Sequence, residues 1–233
     1  GENSELEVPI TPFTTAGTAT VVVTGQNKQP YIGTVEVGNA EGPYVVVDEF
    51  RVNTSNGDGL IEYGETVNVS LDLKNVGNET ASNIWVNASV NLENSDYIVL
   101  NDSTDGFGDI DPEEIVTVNN ALSFTVSSNV PNDYDFSLSL LVSDNGNTNL
   151  WNYNLNMTAF APVIELNEIT INDADGQADP GDVTTGTVHV FNAGGAALPG
   201  HGFSGMVDVS FSADDLYATV SGADFFPGLQ PNS

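Results

Sequence analysis

A two-residue rhythm of apolar and polar side chains constrains this chain more than any other feature. In residues 66–74, Val67, Val69, Leu71 and Leu73 alternate with Thr66, Asn68, Ser70, Asp72 and Lys74. Successive side chains of a strand point to opposite faces, so such a segment buries one face and wets the other. The same alternation runs through Ile84, Val86, Ala88, Val90 and Leu92, through Phe136, Leu138, Leu140 and Val142, and through Trp151, Tyr153, Leu155, Met157 and Ala159. No segment shows a comparable helical repeat. Between the runs, residues 75–77, 105–108 and 144–146 gather Gly, Asn and Asp, which accept turn conformations readily. Short alternating strands with frequent turns predict an all-β sandwich.

The chain also repeats itself. Pro43, Glu49 and Asn53 match Pro162, Glu168 and Asn172 at a spacing of 119. After a two-residue deletion the spacing becomes 117. Asp58-Gly59 then matches Asp175-Gly176, Glu62 matches Asp179, and Gly64-Glu65 matches Gly181-Asp182. Further on, Asn75 and Gly77 match Asn192 and Gly194. The second copy carries a Gly- and Pro-rich insertion near 196–205, rejoins the first where 225–229 matches 107–110, and lacks a counterpart of 111–160. Residues 18–24 and 31–37 are strand-like runs joined by the turn-prone 25–30, and they match neither copy. The expected organisation is the tail of a preceding β-sandwich module in 1–38, a complete module in 43–160 and a homologous module in 162–233 without its last strands. Either the chain is an excerpt of a longer polypeptide, or its incomplete ends complete each other between copies.

Three basic residues, Lys28, Arg51 and Lys74, stand against 33 Asp and Glu, a formal charge of −30. That field repels phosphate backbones, which argues against nucleic acid and anionic membrane surfaces as partners. It also strains a compact fold unless cations offset it, so the acidic residues invite a search for metal-ligand spacing. No stretch approaches the roughly 18 consecutive apolar residues needed to cross a bilayer. No basic-then-apolar leader opens the chain, so any export signal is expected outside these residues. With no cysteine, these residues offer no disulfide, thiolate ligand or cysteine nucleophile.

The search finds Asn53-Thr54-Ser55-Asn56-Gly57-Asp58-Gly59-Leu60-Ile61-Glu62-Tyr63-Gly64-Glu65. This segment resembles the Asp-x-Asn-x-Asp-Gly loop of EF-hand and dockerin calcium sites, with Thr54 at the first position and Glu65 at the twelfth. Calcium takes six to eight hard oxygen ligands, which alternate oxygen side chains, a glycine bend, one backbone carbonyl and a closing carboxylate can supply. Asn53, Thr54, Asn56, Asp58, the Leu60 carbonyl and Glu65 form the expected ligand set. Thr replaces Asp at the first position and strands replace the flanking helices, so a helical EF-hand is rejected. In the second copy the expected ligands are Asp173, Asp175, the Gln177 carbonyl, Asp179 and Asp182, with a shorter closing side chain. The competing reading makes both loops plain acidic turns whose side chains cap backbone amides.

The stretch from Asn56 to Thr66, followed by Leu71-Asp72-Leu73-Lys74-Asn75-Val76-Gly77-Asn78, resembles the bacterial immunoglobulin-like repeats of secreted peptidases and adhesins. The opening Ala16-Gly17-Thr18 through Thr24-Gly25-Gln26-Asn27-Lys28-Gln29-Pro30-Tyr31-Ile32-Gly33 is similar to the end of the immunoglobulin-like domain that follows the catalytic domain of gingipain-like cysteine peptidases. The resemblance implies tandem immunoglobulin-like β-sandwiches, the first and last incomplete, in a secreted or cell-surface protein. Any peptidase would precede Gly1 and a sorting domain would follow Ser233. No catalytic residue of that family maps onto this chain.

Other chemistry is thinly supplied. The histidines are His189, which alternation points to solvent, and His201 in the insertion. Neither has a nucleophile and an orienting group arranged beside it in the sequence. Glu113-Glu114 and Asp214-Asp215 read as solvated turns, since adjacent strand residues face opposite ways. Trp151 is in phase with the buried set, whereas Trp85 is out of phase with Ile84 and Val86 and belongs on an outer face. The leading expectation is a non-catalytic, calcium-stabilised spacer whose partners are neighbouring modules of the same polypeptide. Two alternatives stand beside it: an adhesin or extracellular filament subunit joined to other copies by strand complementation, and a carbohydrate-binding module using Trp85, Asn83 and Asn87.

Overall fold

The computed structural model of the chain describes Ile10, Phe13 and residues 15–38, 41–91, 96–144, 146, 148–177, 179–198, 208–210, 223–225 and 228–231. Every regular element among them is a strand. His201, Asp214-Asp215 and residues 199–205 of the insertion lie outside the described residues.

Residues 45–160 build a β-sandwich. One sheet has the order β3 (Val45–Asn53), β5 (Thr66–Asn75), β9 (Ile115–Val126) and β7 (Ile98–Asp102). The facing sheet has the order β4 (Ile61–Glu62), β11 (Leu150–Phe160), β10 (Tyr134–Ser143), β6 (Ala81–Val90) and β8 (Thr104–Ile110). All neighbours are antiparallel except β4, which runs parallel to the end of β11. The alternating residues form the core: Val67, Val69, Leu71 and Leu73 face Ile84, Val86, Leu138, Leu140 and Leu155, all essentially inaccessible to water. Phe124 on one sheet meets Phe136 on the other edge-on, at 5.6 Å between ring centres. Trp151 is buried as its phase requires, and its ring meets Tyr44.

One expectation is corrected. Residues 105–108 form no reversal but lie within strand β8. Their glycines serve the sheet: Gly108 takes a φ of 72° where the β6–β8 register shifts, and Gly106 lies beneath the ring of Trp85. The crossing between sheets comes one step earlier, at Ser103, whose carbonyl accepts the amide of Ala88 at 2.7 Å.

Strands β1 (Gly17–Val23) and β2 (Tyr31–Val37) pair as a hairpin in the expected place. Beyond β11, strands β12 (Ile164–Ile171) and β13 (Gly186–Asn192) pair as β3 does with β5. A register shift falls between Leu166 and Glu168 in the one pair and between Val47 and Glu49 in the other, positions matched by the repeat. The matched asparagines make matched bonds. Asn75 Oδ1 accepts the amides of Tyr44 and Gly77, while its Nδ2 donates to the carbonyls of Glu79 and Ile110. Asn192 does the same with Val163, Gly194, Ala196 and Leu229. Both are fully buried. The glycine two residues on permits the close approach this needs: a Cβ on Gly77 or Gly194 would lie 2.2 Å from the carbonyl oxygen of Gly42 or Ala161. Short strands β14 (Asp208–Ser210) and β15 (Ala223–Phe225) form a further pair.

Candidate metal centre

The acidic loop lies where the chain changes sheets. Strand β3 ends at Asn53 in the four-stranded sheet, and β4 joins the five-stranded sheet beside Phe160. The chain then returns, with Gly64 donating to the carbonyl of Val126 and Glu65 accepting the Val126 amide. The sandwich thus clamps both ends of residues 54–65, and the polar side chains between them fold inward on one another.

Asn56 is the hub. Its Nδ2 donates to Asp58 Oδ2 at 3.0 Å and to Glu62 Oε2 at 2.9 Å, and its Oδ1 accepts the Thr54 hydroxyl and the Asp58 amide. Asp58 Oδ1 accepts the Leu60 amide at 2.8 Å, an Asx turn, and Gly59 between them takes a φ of 80° that glycine alone adopts without strain. Glu65 closes the loop: Oε1 accepts the Ser55 hydroxyl at 2.7 Å and Oε2 the Glu62 amide at 3.2 Å. Thr54, Asn56 and Asp58 of the expected set therefore bond to one another, while the Glu65 carboxylate is taken up by Ser55 and the Glu62 amide. Leu60 contributes its amide to the turn and leaves its side chain exposed. Asn53 stands apart, its Nδ2 donating to Ser70 Oγ and Asn120 Oδ1 across the strands.

Glu62, left out of the first ligand set, belongs to this cluster. The signal was present, because its counterpart Asp179 was included in the second set. Burial pushes the Glu62 carboxyl above the ordinary carboxylate range, and the charges of Asp58 and then Glu65 push it the same way. Bonds from the backbone of Ala197 and the side chain of Asn56 offset part of that push.

The second loop repeats the frame. Gln177 donates to Asp175 Oδ1 at 3.0 Å, as Leu60 does to Asp58. Asp179 and Asp182 exchange the bonds of Glu62 and Glu65, with the Asp179 amide 3.0 Å from Asp182 Oδ2. The Asp173 carbonyl accepts the Gly176 amide. Asn172 Nδ2 reaches Thr185 and Thr187 as Asn53 reaches Ser70.

The donor chemistry of the first loop fits a hard cation. Its side-chain donors are oxygens, and two carboxylates already converge on the weakly positive end of one amide. Among the described residues, no three His, Cys, Asp or Glu side chains are grouped as a metal cage. The oxygens are instead engaged by donors of the loop itself, so a bound cation would replace internal bonds.

The far end of the loop touches the next unit. Tyr63 Oη donates to the carbonyl of Ala197 at 3.2 Å, and Asn132 Oδ1 accepts the amides of Ala161 and Gly195 at 3.2 and 2.8 Å. A Cβ on Gly195 would lie 2.5 Å from the ring of Phe160, so the turn after β13 is pressed onto the end of β11.

Elsewhere, the opposite sheet carries the ion pairs. Arg51 grips Asp72 with two bonds of 2.7 and 2.8 Å, which holds the Asp72 carboxyl below its ordinary range, and Lys74 meets Glu113 at 2.9 Å. That Asp72 contribution is present above the unfolded pKa and is lost as pH falls through the folded one. Asp72→Asn should therefore lower neutral-pH stability, by at most about 1 kcal/mol for this partly exposed pair, with the difference from wild type shrinking as pH falls and the wild-type carboxyl takes up its proton; melting curves between pH 2.5 and 7 check it. His189 is exposed, as alternation required. Comparison with protein-family models finds no match, and comparison with curated proteins finds none either.

Proposed function

We propose that the chain is a non-catalytic spacer: consecutive immunoglobulin-like β-sandwich modules, stiffened at their joint by a calcium-binding loop, in a secreted or cell-surface protein. The observation that carries the reading is the joint itself. Only Ala161, Pro162 and Val163 separate β11 from β12, and residues of the acidic loop reach across to Ala197. A linker this short, with bonded amides on both sides, transmits orientation from one unit to the next. A cation taken up between the carboxylates of Asp58 and Glu62, in place of the Asn56 amide on which they now converge, would neutralise the charge crowding Glu62 and brace that corner.

Strand order supports the immunoglobulin-like assignment. The sheet β3-β5-β9-β7 follows the A-B-E-D order and β11-β10-β6 the G-F-C order of that sandwich. Strand β8 departs from it, pairing with β6 but following β7 in the chain. The bonding frame shared by residues 43–110 and 162–229 supports two units of one kind. The similarity to gingipain-like accessory domains adds the expectation of a longer parent whose chemistry lies elsewhere.

The joint is testable directly. Asn132→Ala leaves the amides of Ala161 and Gly195 without their acceptor and should cost about 1–2 kcal/mol. It should also make the bond-rich segment 161–163 a preferred protease site. Small-angle scattering should show the maximum dimension broadening in the variant while the circular dichroism of the sandwich is unchanged. Identical scattering and proteolysis for both proteins would remove the stiff-joint reading.

A further inference from the structure

The outer face of the five-stranded sheet is chemically unlike the rest of this acidic chain. Strand β6 turns Asn83, Trp85, Asn87 and Ser89 outward, and neighbouring β10 turns out Ser137, Ser139, Leu141 and Ser143. Strand β11 continues the face with Asn152, Asn154 and Asn156. Along these strands the ionisable outward group is Asp135, at the start of β10, where it accepts the Thr158 hydroxyl; the rest are neutral, although the chain carries 33 acidic residues. On the opposite sheet the outward positions include Glu49, Arg51, Asp72 and Lys74, tied in ion pairs.

Two cavities run into each other on this face. One, of about 540 Å³, is bordered by Asn83, Trp85, Thr104, Ser143 and Asp144, and the other, of about 380 Å³, by Ser89, Ser139, Asn152 and Asn154. Asn87 and Leu141 border both, so they form one trough across β8, β6, β10 and β11. The indole of Trp85 is 49% exposed at one end. Its ring lies over Gly106, where a Cβ would come within 3.3 Å, and its Nε1 donates to Asn83 Oδ1 at 3.4 Å. The ring is thus backed on one side and steered at its edge, while its remaining face is open to a ligand.

We infer that this trough binds a neutral polysaccharide chain, with one pyranose ring stacked on Trp85 and its neighbours along the chain hydrogen-bonded by Asn87, Asn152 and Asn154. An indole offers a broad apolar face to the C–H side of a sugar ring. Primary amides both donate and accept, which suits hydroxyl groups that do both. The ionisable side chain bordering the trough is Asp144, whose carboxylate is held by the amides of Thr148 and Asn149; among the described residues no cationic side chain borders it, which disfavours an anionic ligand. An elongated, polar, open trough suits a chain better than a small enclosed ligand. The site is separate from the acidic loop and does not depend on the spacer reading.

Native affinity electrophoresis of the full chain in gels containing hydroxyethylcellulose, glucomannan, xyloglucan or laminarin tests it. At least one gel should retard the wild-type chain, and Trp85→Ala should weaken that retardation at least about tenfold. Trp85→Phe should restore part of it, and Asn152→Ala should weaken it several-fold, with Asp72→Asn as the unaffected control. Binding should persist in chelator and hold nearly constant between low and high salt, because no ion pair forms. Trp85 fluorescence should shift on titration while the buried Trp151 contributes a constant background. No retardation in any gel, retardation unchanged in Trp85→Ala, or a steep salt dependence would each overturn the inference. Thermal melting of Trp85→Ala equal to wild type ensures that a loss reports the surface and not the fold.

Discussion

Asn75→Ala is expected to lower the stability of the 43–160 sandwich by about 4 kcal/mol, more than most single changes cost. The side chain is wholly buried and each of its polar atoms serves two backbone groups. Alanine would leave the amides of Tyr44 and Gly77 and the carbonyls of Glu79 and Ile110 without these partners at a site water cannot reach. Each such orphan costs its desolvation, about 1–3 kcal/mol, although local relaxation recovers part of the sum. Asn75→Asp is informative beside it, because a carboxylate keeps the two acceptor bonds but presents negative oxygen to two carbonyls. It should rescue little at neutral pH. Gly77→Ala should act on the same lock from outside, since its Cβ would enter the backbone of residues 42–44. Chemical denaturation of the three variants, monitored by the near-ultraviolet signal of buried Trp151, measures these losses. Wild-type midpoints for Asn75→Ala would mean that the four bonds are replaceable by solvent.

The lock also shows how far the sequence was readable. Asn75-Val76-Gly77 and Asn192-Ala193-Gly194 were visible as matched punctuation, but a turn asparagine and a buried four-bond asparagine look alike in one dimension. Strands β5, β6, β10 and β11 were legible because each buries one face, so alternation survives along their length. Strand β9 was not: Asn119-Asn120 interrupts its rhythm, and Asn120 adopts a φ of 54° where the register with β5 shifts at Ser70. Strand β8 was hidden by Gly106 and Gly108, which read as a turn but relieve the sheet beneath Trp85. The outward phase of Trp85 and the inward phase of Trp151 were legible for the same periodic reason. In the loop, spacing singled out Asn56, Asp58 and Glu65. It could not show that Asn53 bonds across to Ser70 and Asn120, or that the bend through Gly57 and Gly59 lets Glu62 meet the Asn56 amide.

Calcium should raise the stability of the chain by about 2.7 kcal/mol when present at a hundred times its dissociation constant. For a unit of this size that is a rise in melting temperature of roughly 10 °C, reversed by chelator. Without metal, burial and the charges of Asp58 and Glu65 hold the Glu62 carboxyl above its ordinary pKa. A raised acid favours folding below its unfolded pKa, and that contribution is lost as pH rises through the folded pKa. Metal-free protein should therefore lose the Glu62 share of its stability on going from acid to neutral pH, and Glu62→Gln should recover it. Calcium competes with that proton, so its stabilising effect should grow over the same window and be smaller near pH 4.5 than near pH 7.5. Asp58→Asn separates the cation loop from a plain capped turn. Asparagine keeps a carbonyl oxygen for the Leu60 amide, so a capped turn would melt within about 0.5 kcal/mol of wild type in chelator and be indifferent to calcium in both proteins. A cation loop would melt similarly in chelator but lose most of the calcium-dependent rise once the charge at residue 58 is gone. Calorimetric scans of wild type, Asp58→Asn and Glu62→Gln, each with calcium and with chelator, decide the matter; coincident wild-type scans would leave the joint braced by Tyr63 and Asn132 alone.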